Sequence, residues 1–121
     1  MHSLSSTPTN SWSPVHVSKE SGLAGPEEGI ILRDEVHTGG AHIVLERDPR
    51  PAPFAITCSI SGWMIHTMYF LTEETSQQAF EQLKIELARI LRLIPAEAEP
   101  QLEDDMQRVE DAIIDFISQF S

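Results

Sequence analysis

Four residues of the chain carry the chemistry of a possible site: Cys58, His66, His42 and Glu35. A thiol beside an imidazole can form a nucleophile–base pair. Two histidines with a carboxylate can hold zinc or iron. The spacing supports neither strongly. No third group is in view to orient a Cys58–His66 pair, and no H-x-x-x-H pair backs a metal set. The acids cannot be sorted into a catalytic pair, because they are spread along both helical segments and read as solvated faces. Gly39-Gly40 reads as a turn rather than a phosphate loop.

Whether these residues meet depends on the stretch that holds two of them. Pro53–Leu71, PFAITCSISGWMIHTMYFL, is rich in β-branched and aromatic residues and is broken by Ser61-Gly62. It predicts a β-hairpin. A two-residue loop at Ser61-Gly62 sets Ile60 opposite Trp63 and Cys58 opposite Ile65. Phe54, Ile56, Cys58, Ile60, Trp63, Ile65 and Tyr69 then share one face. Ala55, Thr57, Ser59, Met64, His66, Met68 and Phe70 take the other. A three-residue loop, Ile60 to Gly62 with Gly62 left-handed, is the alternative and exchanges the faces of Trp63–Leu71. The two-residue loop is preferred because it unites the strongest β-formers. It also keeps Cys58 and His66 apart, whereas the slipped register brings them together.

The other elements follow in order. Residues 1–28 are rich in Ser, Thr, Pro and Gly without sustained periodicity, which predicts a flexible tail with Trp12 as an isolated aromatic. Residues 29–121 form the single domain. Gly29–His37 and Gly40–Arg47 read as strands joined at Thr38-Gly39. A two-residue loop there faces Val36 to Ala41 and Asp34 to Ile43, placing Asp34 on an otherwise apolar side. Glu35, His42, Val44 and Glu46 share the reverse side. Asp48–Pro53 is a stiff proline-bearing connector with Arg50. Thr72 suits an N-cap, followed by a helix with Phe80, Leu83, Leu87, Ile90, Leu91 and Ile94 on one stripe. A second amphipathic helix spans Gln101–Phe120, with an acidic outer face. The order ββββαα predicts an α+β two-layer sandwich: a four-stranded antiparallel meander with both helices on one face.

Composition narrows the function. The formal net charge of −11 disfavours nucleic acid and anionic membranes as partners. One cysteine allows no internal disulfide, and the N-terminus lacks the apolar core of a secretory signal, which together predict a cytoplasmic protein. No cofactor is called for. The reading is an acidic, non-catalytic protein-interaction module, homodimeric or binding another protein. Its surface is the sheet face opposite the helices, carrying Met64, His66, Met68, Phe70, Val44 and His42. The alternative is a small enzyme or metal- or ligand-binding protein using Cys58, His42, His66 and Glu35.

Overall fold

The computed structural model describes residues 12–15, 25–49, 52–94 and 102–120, with side chains of the last range from Met106 onward. Among the described residues five strands form one antiparallel sheet in sequence order: β1 (Trp12–Pro14), β2 (Ile30–His37), β3 (Ala41–Arg47), β4 (Phe54–Ile60) and β5 (Met64–Phe70). Two helices, α1 (Glu73–Leu91) and α2 (Leu102–Gln119), pack against it, giving the α+β two-layer architecture. The sheet has one strand more than the four expected. Among the described residues no helix is long and apolar enough to cross a membrane.

Two glycines set the register. Gly62 has φ +81° and Gly40 has φ +107°, values an L side chain rarely adopts. Trp63 N–H donates to the Ile60 carbonyl at 2.9 Å, and Met64 pairs with Ile60. The β4–β5 loop is therefore Ser61-Gly62-Trp63, not the expected two-residue loop. It contains the left-handed Gly62 of the alternative, one residue further along the chain. Gly40 N–H closes on the His37 carbonyl at 3.0 Å, so the β2–β3 loop is also three residues, Thr38-Gly39-Gly40. Its left-handed third residue is the usual sequel to a type I turn in such a hairpin.

These loops move side chains across the sheet. Cys58 now pairs with His66, Ile56 with Met68 and Phe54 with Phe70. In β2, Glu35 pairs with Ile43 and Asp34 with Val44, a shift of one residue that moves Asp34 off the apolar side. An irregularity at Leu32 restores the other phase by Ile31, which pairs with Glu46.

The helices cover the face formed by Ala41, Ile43 and Leu45 of β3, Ile56, Cys58 and Ile60 of β4, and Met68 of β5. Helix α1 starts where the sequence says it should. The Thr72 hydroxyl accepts from Thr75 N–H at 3.1 Å, and Glu73 and Glu74 sit at the positive end of the helix dipole. Its buried stripe is Phe80, Leu83, Leu87 and Ile90, as the helical spacing implies; Leu91 and Ile94 pack at its margin. Helix α2 contributes Val109, Ile113 and Phe116. Arg50 and three acids of the second helix's outer face, Glu103, Asp104 and Asp105, lie outside the described side chains.

Within residues 1–28, expected to form a tail, two parts are described and both pack on the sheet. Trp12 pairs with His37 and is 7% exposed, packed edge-on to the His37 ring at 5.1 Å between centroids. Gly25–Gly29 folds back over the other face of the sheet. There the Glu46 carboxylate, wholly buried, accepts N–H groups from Glu27 (3.0 Å) and Gly29 (2.7 Å). The loop comes so close that a Cβ on Gly25 would lie 2.6 Å from Glu46 Oε1. Tyr69 on β5 donates to Glu27 Oε1 at 2.7 Å, which extends the tie across the sheet. Residues 1–11 and 16–24 lie outside the described residues.

Trp12→Ala removes a buried indole and should destabilise the domain by about 3–5 kcal/mol. Urea unfolding followed by far-ultraviolet circular dichroism measures this. A change below about 1 kcal/mol would mean that Trp12 does not belong to the core.

Candidate functional site

The register separates His42 from the other three residues that sequence chemistry groups with it. Cys58, His66 and Glu35 stand on the helix-covered side and His42 stands on the open side. His42 and Glu35 therefore cannot share a metal, and His42 and His66 are divided by the sheet. Met64, His66, Met68 and Phe70, expected on the open face, all turn toward the helices; Met68 is 6% exposed. The reason is the single-residue change of loop length, which flips every side chain of β5. Val44 and His42 do lie on the open face, with Val44 buried among its neighbours.

Cys58 and His66 share a face, as in the slipped register, and are direct cross-strand partners. Their chemistry is nonetheless quiet. Cys58 is wholly buried, and burial pushes its thiol up to about 12. A thiol held there is not a nucleophile at neutral pH. His66 is directed elsewhere: its Nε2–H donates to the Phe120 carbonyl at 3.3 Å, and its ring meets Phe116 edge-on. It ties β5 to the end of α2.

Glu35 belongs to an ionic network between β2 and α1. Its carboxylate takes Lys84 Nζ at 2.7 Å and Arg33 at 2.9 Å. Arg33 also reaches Glu81 at 2.7 Å and Gln77 at 2.9 Å, with its guanidinium 4.0 Å from the Phe80 ring centre. Burial pushes the Glu35 carboxyl up, but its bonds to Lys84 and Arg33 outweigh this and hold it below its ordinary value. With both oxygens engaged, Glu35 is a structural carboxylate. The sequence carried no signal for this network, because it depends on the shifted β2 register.

The open face presents three rows across the strands: Val36–His42–Ser59–Ile65, Asp34–Val44–Thr57–Thr67 and Ile31–Glu46–Ala55–Tyr69. His42 Nε2–H donates to Asp34 Oδ1 at 2.6 Å, and Ser59 is its cross-strand neighbour. Carboxylate, imidazole and hydroxyl thus occur together, the group types of a nucleophilic triad. They stand on the middle of a sheet, where β4 N–H groups are drawn into ladders on both sides. A developing oxyanion would find no pair of free donors from that strand. The third row is roofed by the Gly25–Gly29 loop.

The other notable surface lies at β5. This strand forms one edge of the sheet, and among the described residues nothing pairs with its outer side. Ile65 is 78% exposed, Leu71 is 82% exposed and Tyr69 is half exposed. From Met64 to Leu71 there is no formal charge. Near the start of β5, a shallow groove between the Ser61–Trp63 loop and α2 is lined by Trp63, Met106, Glu110, Ile113 and Ile114. Sequence reasoning missed Ile65 and Leu71 as surface residues because their residue types belong to a core.

No family model, curated protein or solved structure matches the chain.

Two outcomes check this account. At pH 8 the native chain should leave a chromophoric thiol reagent unreacted, and unfolding in denaturant should release one equivalent of thiol. Rapid native reaction would place Cys58 in solvent. The Glu35 contribution has a definite sign. Its folded-state value lies below the ordinary 4.5, so its stabilisation is present above that pH and is lost as pH falls through the folded value. Glu35→Gln should be less stable than the native chain at pH 7 by about 1–2 kcal/mol. The gap should narrow at pH 3. Parallel losses on acidification would show that the carboxylate contributes nothing.

Proposed function

We propose that the protein is a small, acidic, non-catalytic interaction module that acts as a cytoplasmic homodimer. The observation that carries this reading is the uncharged β5 edge, where Ile65 and Leu71 stand in water beside Tyr69. Leaving such side chains exposed forfeits about 1.5–3 kcal/mol each relative to full burial. The net charge of −11 opposes self-association, yet salt screens charges beyond about 8 Å at physiological ionic strength. The stretch from Met64 to Leu71 carries no formal charge of its own, which lowers the repulsion between two acidic chains there. The interaction surface is thus shifted from the expected set: His42 remains on the open face, while the outward residues of β5 replace Met64, His66, Met68 and Phe70.

The acid excess gives a nucleic acid or an anionic membrane little to bind. An enzymatic reading based on Cys58, His42, His66 and Glu35 has less support, because the sheet divides His42 from the rest and the Cys58 thiol is held protonated.

Light scattering coupled to size exclusion tests the proposal. The native chain should elute with twice the monomer mass at micromolar concentration and pH 7.5. A monomer under those conditions overturns the homodimer.

A further inference from the structure

Resting on the homodimer reading, we infer that the two copies join edge to edge: β5 pairs antiparallel with β5 of a second copy, about a two-fold axis through Thr67. The backbone supplies the first argument. Because the Ile60 carbonyl accepts Trp63 N–H, the backbone groups of Ile60 face β5. Ile60 and Met64 are paired, so the alternation of an antiparallel ladder turns Met64, His66, Met68 and Phe70 toward β4. The N–H and C=O groups of Ile65, Thr67 and Tyr69 then point outward. Such a row is a ready template for an added extended strand, which replaces water on it.

The residue pattern commits that strand to a second copy. A two-fold axis at Thr67 keeps the whole of β5 paired and forms about six new backbone hydrogen bonds. On the open face it sets Ile65 against Tyr69 of the other copy and Thr67 against its own equivalent. On the helix side it sets Met64 against Phe70 and His66 against Met68. Ile65 meets Tyr69 and Met64 meets Phe70, large apolar bodies on both faces, and the strand itself carries no formal charge, with Glu27 at its border on the Tyr69 hydroxyl. Natural edge strands are commonly blunted by lysine, proline or a bulge. β5 contains no lysine or proline, and its pairing with β4 is regular from Met64 to Phe70. The opposite edge differs: β1 is three residues long and ends in Pro14.

The test uses the full chain. Directly opposed Thr67 residues would have Cα atoms about 5.5 Å apart, within disulfide reach. Thr67→Cys should form a covalent dimer on mild oxidation, whereas Val36→Cys, partly exposed on β2 away from this edge, should not. Ile65→Lys should be monomeric at concentrations where the native chain is dimeric, with an unchanged circular dichroism spectrum, since Ile65 is exposed in the monomer. Amide exchange at Ile65, Thr67 and Tyr69 should slow as protein concentration rises. A native dimer with no Thr67→Cys cross-link and an Ile65→Lys variant that still dimerises overturns the edge pairing while leaving the homodimer standing. A native monomer overturns both. A native monomer whose β5 amides become protected only on adding an extended peptide from another protein would assign the edge to a foreign strand.

Discussion

The conformation of two glycines governs the structure. At Gly40 and Gly62 the backbone enters the left-handed region, and each hairpin loop takes three residues. A β-strand has a side-chain period of two, so one residue in a loop decides which half of a strand meets the helices. Gly62 places Met68 against the core and Ile65 in water. Gly40 places Glu35 beside α1 and Asp34 beside His42 on the other face. Both the part-buried ionic network and the exposed β5 edge descend from these two dihedral angles.

Charge is handled by enclosure rather than exclusion. Glu46 is wholly buried and wrapped by backbone N–H donors from the Gly25–Gly29 loop. Charge-assisted bonds to backbone amides compensate a carboxylate for its lost hydration. Glu35 achieves the same with side chains, drawing on Arg33, whose guanidinium lies over the Phe80 ring, and on Lys84, whose ammonium lies about 6 Å from the Phe80 and Trp12 rings. Each carboxylate fastens a segment that lacks a large apolar stripe of its own. Glu46 holds the approach to β2, and the Glu35 network borders the indole that anchors β1.

Much of the fold is legible in the sequence. The helical stripe Phe80–Leu83–Leu87–Ile90, the Thr72 cap and the inward residues of β3 and β4 follow from periodicity and residue type. Three features are not legible for a common reason: each rests on contacts distant in sequence or on a single torsion. Two-residue and three-residue readings of Ser61-Gly62 are both chemically reasonable, and the alternation of β5 fits either, because both of its faces carry large apolar side chains. Trp12 belongs to a strand of three residues, too short to show a period. Glu35 looks like a ligand until Lys84, far along the chain, is brought against it. The grouping of Cys58, His66, His42 and Glu35 depends on register: the observed one pairs Cys58 with His66 and sets His42 on the face away from the other three.

The strand order has a consequence for how the chain reaches this state. Every sheet neighbour is also the next strand in sequence, so β2 through β5 can assemble as successive local hairpins. Such topologies close short loops first and lose little chain entropy before contacts reward it. β1 is the exception in distance, since Trp12 must find His37 across a longer span. The small N-terminal strand is then the natural last piece of the sheet to arrive, and its indole completes an apolar layer that the hairpins and helices have already shaped.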